Sequence, residues 1–279
     1  LGAISDDVII GTSGASSAEF DFSKSYSNPS TGSATTVNDT TIGTGQIRIF
    51  AGARTLTGST LGQGGPAGGG VSVSGLNAGS FGAAVADAMA NEQHSRGSGP
   101  VISTLSGTIG GESYSFDQGI AIGSIVFDDD TPWHFDHTTS VEAGKSDFYS
   151  VALHELLHSV GFGASGTWNT LISGTNYIGA EGVAANGGSG TGMVNAGGDH
   201  LASGTMSFRI SDGLSQAALM GPSITTGTRK SITQLDLAVM RDLGFNTVAT
   251  ASAVPEPSSL AILLLGGCLV GCSRRRVAA

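Results

Sequence analysis

The segment from Asp147 to Gly161 constrains the fold of this chain more than any other stretch. Val151, Ala152, Leu153, Leu156 and Leu157 surround His154, Glu155 and His158 there, so a helix would carry apolar side chains on most of its circumference. Such a helix has to be enclosed, because water is a poor neighbour for apolar surface on all sides. Its limits can be read too. Asp147 suits the N-cap of a helix over Phe148 to Val160, and Gly161 suits its stop. The chain is therefore expected to build strands and further helices around one central helix that holds two histidines and a glutamate.

The spacing His154-Glu155-Leu156-Leu157-His158 has a chemical meaning. Residues at i and i+4 lie one turn apart on one helix face. Two imidazoles so placed can reach a single zinc ion at about 2 Å. Glu155 sits beside the first of them, where a carboxylate can polarise a metal-bound water and carry its proton to a leaving amine. The plain alternative, a buried helix with two satisfied histidines, has no use for that carboxylate. Two histidines leave zinc underfilled, so a third ligand is needed. The only cysteines, Cys268 and Cys272, lie in the C-terminal tail. The body therefore has no disulfide, and its metal ligands must be His, Asp or Glu.

Residues 154–161 read His-Glu-x-x-His-x-x-Gly, which resembles the metzincin clan of zinc endopeptidases. The resemblance implies that Gly161 lets the chain turn sharply so that a third histidine returns to the metal. The compact form of the motif would put that histidine at 164, where this chain has Ala164. Leishmanolysin-like metzincins instead carry a long insertion before it. His94, His134 and His137 precede the helix, and the one histidine beyond it is His200, in Gly-Gly-Asp-His-Leu. His200 is thus the third ligand that the resemblance implies. The clan also places a methionine turn beneath the metal. Met206 and Met220 both follow His200, and Met220 is preferred because Leu-Met-x-Pro looks more like that turn. Latency through a zinc-binding cysteine is excluded for a body without cysteine.

Elsewhere the periodicity predicts strands at Val8–Ile10, 46–50, 101–105 and 120–127, and a helix from Ser80 to about Gln93. Thr57–Gly75 is glycine-rich and reads as a loop. Trp168 to Gly198 reads as irregular. A last helix is expected from Ser231, where Ser231-Ile-Thr-Gln234 fits a capping box, to just before Gly244. There is no internal repeat. Three features have both a functional and a plain reading. Ile120–Phe127 suits an edge strand that pairs with an extended peptide, or an ordinary sheet strand. Asp128, Asp129 and Asp130 suit calcium, which takes carboxylate oxygens, although a solvated acidic turn is the simpler reading. Tyr177 can be imagined donating to a developing oxyanion, with no spacing argument behind it.

Charge and the tail bear on destination. Lys and Arg number 12 against 22 Asp and Glu, a net charge of −10, which makes nucleic-acid binding through phosphates a poor expectation. Without Arg274, Arg275, Arg276 and Glu256 the body stands at −12. From 254 the chain reads Val-Pro-Glu-Pro-Ser-Ser, then an apolar run over 260–272, then the arginines. That run is short for a bilayer span, which takes about 20 residues. A buried C-terminal helix would seldom end in three arginines. The order of parts resembles the PEP-CTERM sorting signal of Gram-negative exported proteins. The resemblance implies export, transient membrane anchoring, removal of the tail by an exosortase-type enzyme, and a cell-surface or extracellular destination. The chain begins at Leu1 with no basic-then-apolar leader, so a processed or truncated N-terminus is expected.

Together these features predict an α+β, metzincin-like fold: a twisted mixed sheet with a zinc-binding active-site helix, plus an irregular C-terminal subdomain. Residues 1–163 would hold the sheet and zinc helix. Residues 164–248 would supply His200, Met220 and the last helix, and 249–279 the linker and sorting tail. The expected activity is that of a secreted zinc endopeptidase. One catalytic zinc would sit on His154, His158 and His200, Glu155 would be the general base, and the substrate would be a peptide or protein. Two rivals stand beside it: a non-catalytic zinc-containing surface or matrix protein, and a zinc hydrolase acting on a non-peptide bond.

Overall fold

The computed structural model describes residues 8–38, 41–43, 45–95 and 99–247. The chain is mixed α+β, with several small sheets and few helices. The first part runs through β1 (Val8–Ser13), β2 (Ser16–Ser27), β3 (Ala34–Val37), β4 (Arg48–Ala53), β5 (Gly62–Pro66), β6 (Gly68–Leu76) and α1 (Phe81–Ser95). Next come β7 (Ser103–Ile109), β8 (Glu112–Gln118), β9 (Ile122–Phe127), β10 (Trp133–His134), β11 (Ser146–Asp147) and α2 (Phe148–Ser159). Beyond α2 lie α3 (Gly166–Thr170), β12 (Ile172–Ser173), β13 (Asn176–Tyr177), α4 (Ala180–Ala185), β14 (Met206–Phe208), β15 (Ser215–Ala217) and α5 (Gln234–Asp242).

Side-chain alternation explains the first layer. Along β2 every second residue from Ser16 to Lys24 is buried, and β2 pairs with β1, β3 and β6, all antiparallel. Ala18, Phe20 and Phe22 meet Phe81, Ala84, Val85 and Ala88 of α1, and Phe116 of β8. The rings of Phe20 and Phe116 lie 4.6 Å apart. Each buried phenylalanine is worth about 1.5–3 kcal/mol, so this cluster anchors the amino-terminal layer.

The sheet that positions the site is smaller, with strand order β4-β9-β5. Here two expectations are corrected. The glycine-rich stretch 57–75 is not a loop: it forms β5 and most of β6. Nor is β9 an edge. It is the middle strand, parallel to β4 and antiparallel to β5. The outer strand beside the site is β5. Two of its glycines, Gly62 and Gly64, are required by a close approach, since a Cβ on Gly64 would stand 2.2 Å from the carbonyl oxygen of Glu155. Composition suggested a loop because glycine has low strand propensity, but a helix packed directly on the strand leaves no room for anything larger.

Helix α2 starts and stops as expected. Asp147 caps it by accepting from the Ser150 amide at 3.1 Å, and Gly161 turns the chain away with φ +109°. It is not enclosed on all sides, however. Leu156 is 40% exposed, while Ser150, Glu155, His158 and Ser159 are buried. The covered surface carries these polar groups together with the apolar Val151. Helix α5 begins two residues later than the sequence suggested. Thr233 is its N-cap, in a reciprocal box with Asp236, while Ser231 is engaged by the Gln216 side chain.

A second core gathers Phe162, Trp168, Tyr177, Met193, Leu201, Met220, Leu235 and Val239 beneath the irregular segments. The chain divides into two units, 1–247 and 248–279. The expected tail helix at 260–272, Cys268, Cys272 and the arginine cluster lie outside the described residues. Among the described residues no helix is long and apolar enough to cross a membrane.

Candidate metal centre

Three imidazoles converge. The Nε2 atoms of His154 and His158 are 3.0 Å apart, and each lies 3.1 Å from Nε2 of His200. The other ring nitrogen of each is already committed. His154 Nδ1 faces the Leu219 carbonyl at 2.9 Å, His158 Nδ1 the Phe162 carbonyl at 2.8 Å, and His200 Nδ1 the Asp199 carboxylate at 2.8 Å. An imidazole that donates from Nδ1 to an oxygen presents a lone pair at Nε2. Burial and the neighbouring histidines hold His154 down to about 3 and His158 down to about 4, so both stay neutral. Three lone pairs facing one point repel one another unless a cation lies between them. Ligands at about 2.05 Å on a tetrahedral ion stand roughly 3.3 Å apart, close to the spacing seen. Among the described residues this is the one cluster of His, Cys, Asp or Glu able to hold a metal ion.

The sequence-predicted trio is thus brought together, and the supporting contacts show how. Helical spacing supplies His154 and His158. The His200 loop is organised by Asn195, whose side-chain oxygen accepts from the amides of Asp199 and His200 while its amide donates to Asp199. Burial pushes Asp199 up, but His200 and Asn195 outweigh it and hold the carboxyl below its ordinary value. Asp199 was missed in the sequence. The signal was its place beside His200, because a metal-ligating imidazole usually has a carboxylate or carbonyl on its far nitrogen.

Met220 is fully buried, and the turn that carries it braces two of the histidines. Leu219 supplies the carbonyl for His154, and the Met220 carbonyl accepts from the amide of Leu201, the neighbour of His200. Asp236 holds this turn by accepting from the amides of Leu219 and Met220. Met206 lies on β14 and is 57% exposed.

Glu155 is 5% exposed and lines the same cleft as the three histidines. Burial pushes its carboxyl up to about 7, and the Gly64 amide, its hydrogen-bond donor, offsets only part of that. The cleft encloses about 740 Å³, bordered by Ser59–Gly64, by the polar face of α2, and by Leu219 and 221–224. Arg229 fixes the start of α2. Its guanidinium donates to both oxygens of Asp147 and to the carbonyls of Asp136 and Thr139.

The remaining sequence readings fall elsewhere. The Tyr177 hydroxyl donates to Asp242 at 3.2 Å, and burial raises its pKa above the ordinary range, so it is a core residue and not an oxyanion donor. The run Asp128–Asp130 forms no metal-type cluster among the described residues. Asp128 instead closes a turn, accepting from the Leu56 amide and the Thr131 hydroxyl.

Against known families, the model of the PEP-CTERM protein-sorting motif matches residues 253–276. That motif implies recognition by an exosortase-type processing enzyme, and export with C-terminal anchoring or processing. No curated protein and no solved structure matches the chain.

Proposed function

We propose that this chain is an exported, metzincin-like zinc endopeptidase of the long-spacing kind. The observation that carries the reading is the convergence of three pre-oriented Nε2 atoms in one cleft with a buried carboxylate. The donor set favours zinc: three imidazoles, no thiolate, and room for a further ligand. Bound there, zinc would polarise a carbonyl and acidify water. The chain's own groups do the rest. His154, His158 and His200 hold the ion through Nε2. Asp199 and the carbonyls of Leu219 and Phe162 keep each ring in the right tautomer. Glu155 takes a proton from water in the cleft and returns it to the departing amine, a role worth about 10²–10⁴ in rate. Strand β5 offers its outer edge to an extended peptide, which pairs with it through backbone hydrogen bonds. The lack of side chains on Gly62 and Gly64 lets this edge lie directly over Glu155.

The test uses the full chain, loaded with zinc, on a mixed peptide library read by mass spectrometry, beside Glu155→Gln. Cleavage by the parent and its loss in the variant are expected. Cleavage that persists in Glu155→Gln would sink the role given to that residue. No cleavage by a folded, zinc-loaded parent would instead favour a non-catalytic metal-containing surface protein.

A further inference from the structure

The cleft contains one cation that the proposed chemistry does not use. Lys230 is the one lysine or arginine among the residues that border it. It also borders an adjoining hollow of about 210 Å³. Its backbone is fixed, because the Lys230 amide donates to the Ser150 hydroxyl at 2.7 Å. Ser150 lies one helical turn before His154 on α2, so the lysine stands close along the helix to the first histidine of the trio. The neighbouring Arg229 is locked on Asp147.

The ammonium feels the charge of Asp236 but touches no carboxylate among the described residues. Lys230 Nζ donates to the carbonyls of Ser223 at 2.8 Å and Ala218 at 3.3 Å, and it takes part in none of the ion pairs among the described residues. An ammonium has three donors, so one remains after these two. The carboxylates around it are already taken. Asp236 is buried and accepts from Thr233, Leu219 and Met220. Asp199 serves His200 and Asn195, and Glu155 faces Gly64. Burial also lowers the Lys230 pKa, so an anion arriving there is favoured over leaving the charge half-dry. Apolar side chains of Leu61, Val151, Leu219 and Ile224 alternate with polar groups along the same cleft wall.

We propose that Lys230 is a specificity residue that receives a side-chain carboxylate of the substrate, so that cleavage falls beside an aspartate or a glutamate. This rests on the endopeptidase reading and names the substrate class of that same site. An overall net charge of −10 gives acidic peptides no general attraction, so the preference would be set at this one point.

The experiment compares peptides identical except for Asp, Asn or Lys at each position flanking the scissile bond, each with a free or an amidated C-terminus. The zinc-loaded full chain should cut the Asp peptide at least about tenfold faster than its Asn isostere at one position, about 1.4 kcal/mol of discrimination. Lys230→Met should erase that ratio, Lys230→Arg should keep most of it, and Lys230→Glu should turn the preference towards Lys. A preference that follows only the free C-terminus would mark a carboxypeptidase and overturn the proposal. Equal cutting of Asp and Asn peptides, or a ratio unchanged in Lys230→Met, would overturn the proposal. Binding of the same peptides, followed by fluorescence anisotropy on the zinc-loaded Glu155→Gln variant with and without Lys230→Met, separates the two readings. Asp-selective binding lost in Lys230→Met, in a chain that cuts nothing, would keep Lys230 and defeat the endopeptidase. Binding indifferent to Asp or Asn would defeat Lys230 even if cleavage is found.

Discussion

Helix α2 and strand β5 meet at the site, and they specify it in opposite ways. The helix works by what its side chains carry: two imidazoles, a carboxylate, and a cap at Asp147. The strand works by what it lacks. A methyl group at Gly64 would collide with the helix backbone at Glu155, and one at Gly62 would stand 2.8 Å from the Glu155 side chain. The difference teaches that a low-complexity glycine run can be as position-specific as a catalytic motif. Its specificity is steric, and becomes visible only when the partner is in place.

Substitutions on the two elements should therefore fail differently. The largest effect is expected from Glu155→Gln, a fall of about 10²–10⁴ in kcat/KM with zinc content and melting temperature not lowered. A variant that lost its metal or its fold instead would erase the contrast with the strand. Next, Arg229→Met strands the buried Asp147 at the start of α2. Urea melts should show a loss of about 3 kcal/mol at neutral pH. Burial raises Asp147, but Arg229 and Ser150 outweigh it and hold its pKa below the ordinary 3.8. The stability from the pair is thus complete above that value and fades as the pH falls through the depressed one. The gap between parent and variant should be widest at neutral pH and narrow as the pH falls and Asp147 is protonated, first in the variant and then in the parent.

On the strand side, Gly64→Ala should lower stability by about 1–3 kcal/mol, because strand and helix must part to admit the methyl. Thermal melting of the zinc-free and zinc-loaded chains checks this. An unchanged melting temperature would mean that β5 does not lie on α2. Asp199→Asn should weaken zinc affinity about 10–100-fold while secondary structure by circular dichroism stays the same. The smallest effect is expected at Leu156→Ala, within about 0.5 kcal/mol, since that side chain faces outward.

The same contrast explains what could be read in the sequence. His154, Glu155, His158, the Asp147 cap and the Gly161 turn follow a 3.6-residue period and local capping rules, so they were visible without a fold. His200 and Met220 were reached through a resemblance, and the convergence of three Nε2 atoms agrees with that choice of histidine. Strand β5 was misread because its signal is packing against a distant helix. For the apolar run that became β9 both an edge role and an ordinary strand were open, and its pairing on both sides decides for the ordinary strand. The start of α5 was misplaced by two residues because two hydroxyls compete there. Thr233 wins through a second, equally local box with Asp236, while the distant Gln216 holds the Ser231 backbone outside the helix. Lys230 and Asp199 carry no periodicity, and their partners lie far along the chain or in a loop.

The most direct measurement is X-ray absorption on the purified full chain dialysed against zinc, together with metal analysis of His200→Ala. The expected result is one zinc per chain with three nitrogen ligands at about 2.0–2.1 Å, and loss of that stoichiometry in His200→Ala. A chain that retains no zinc, or whose zinc is untouched by His200→Ala, would contradict the assignment of the three histidines to one metal ion.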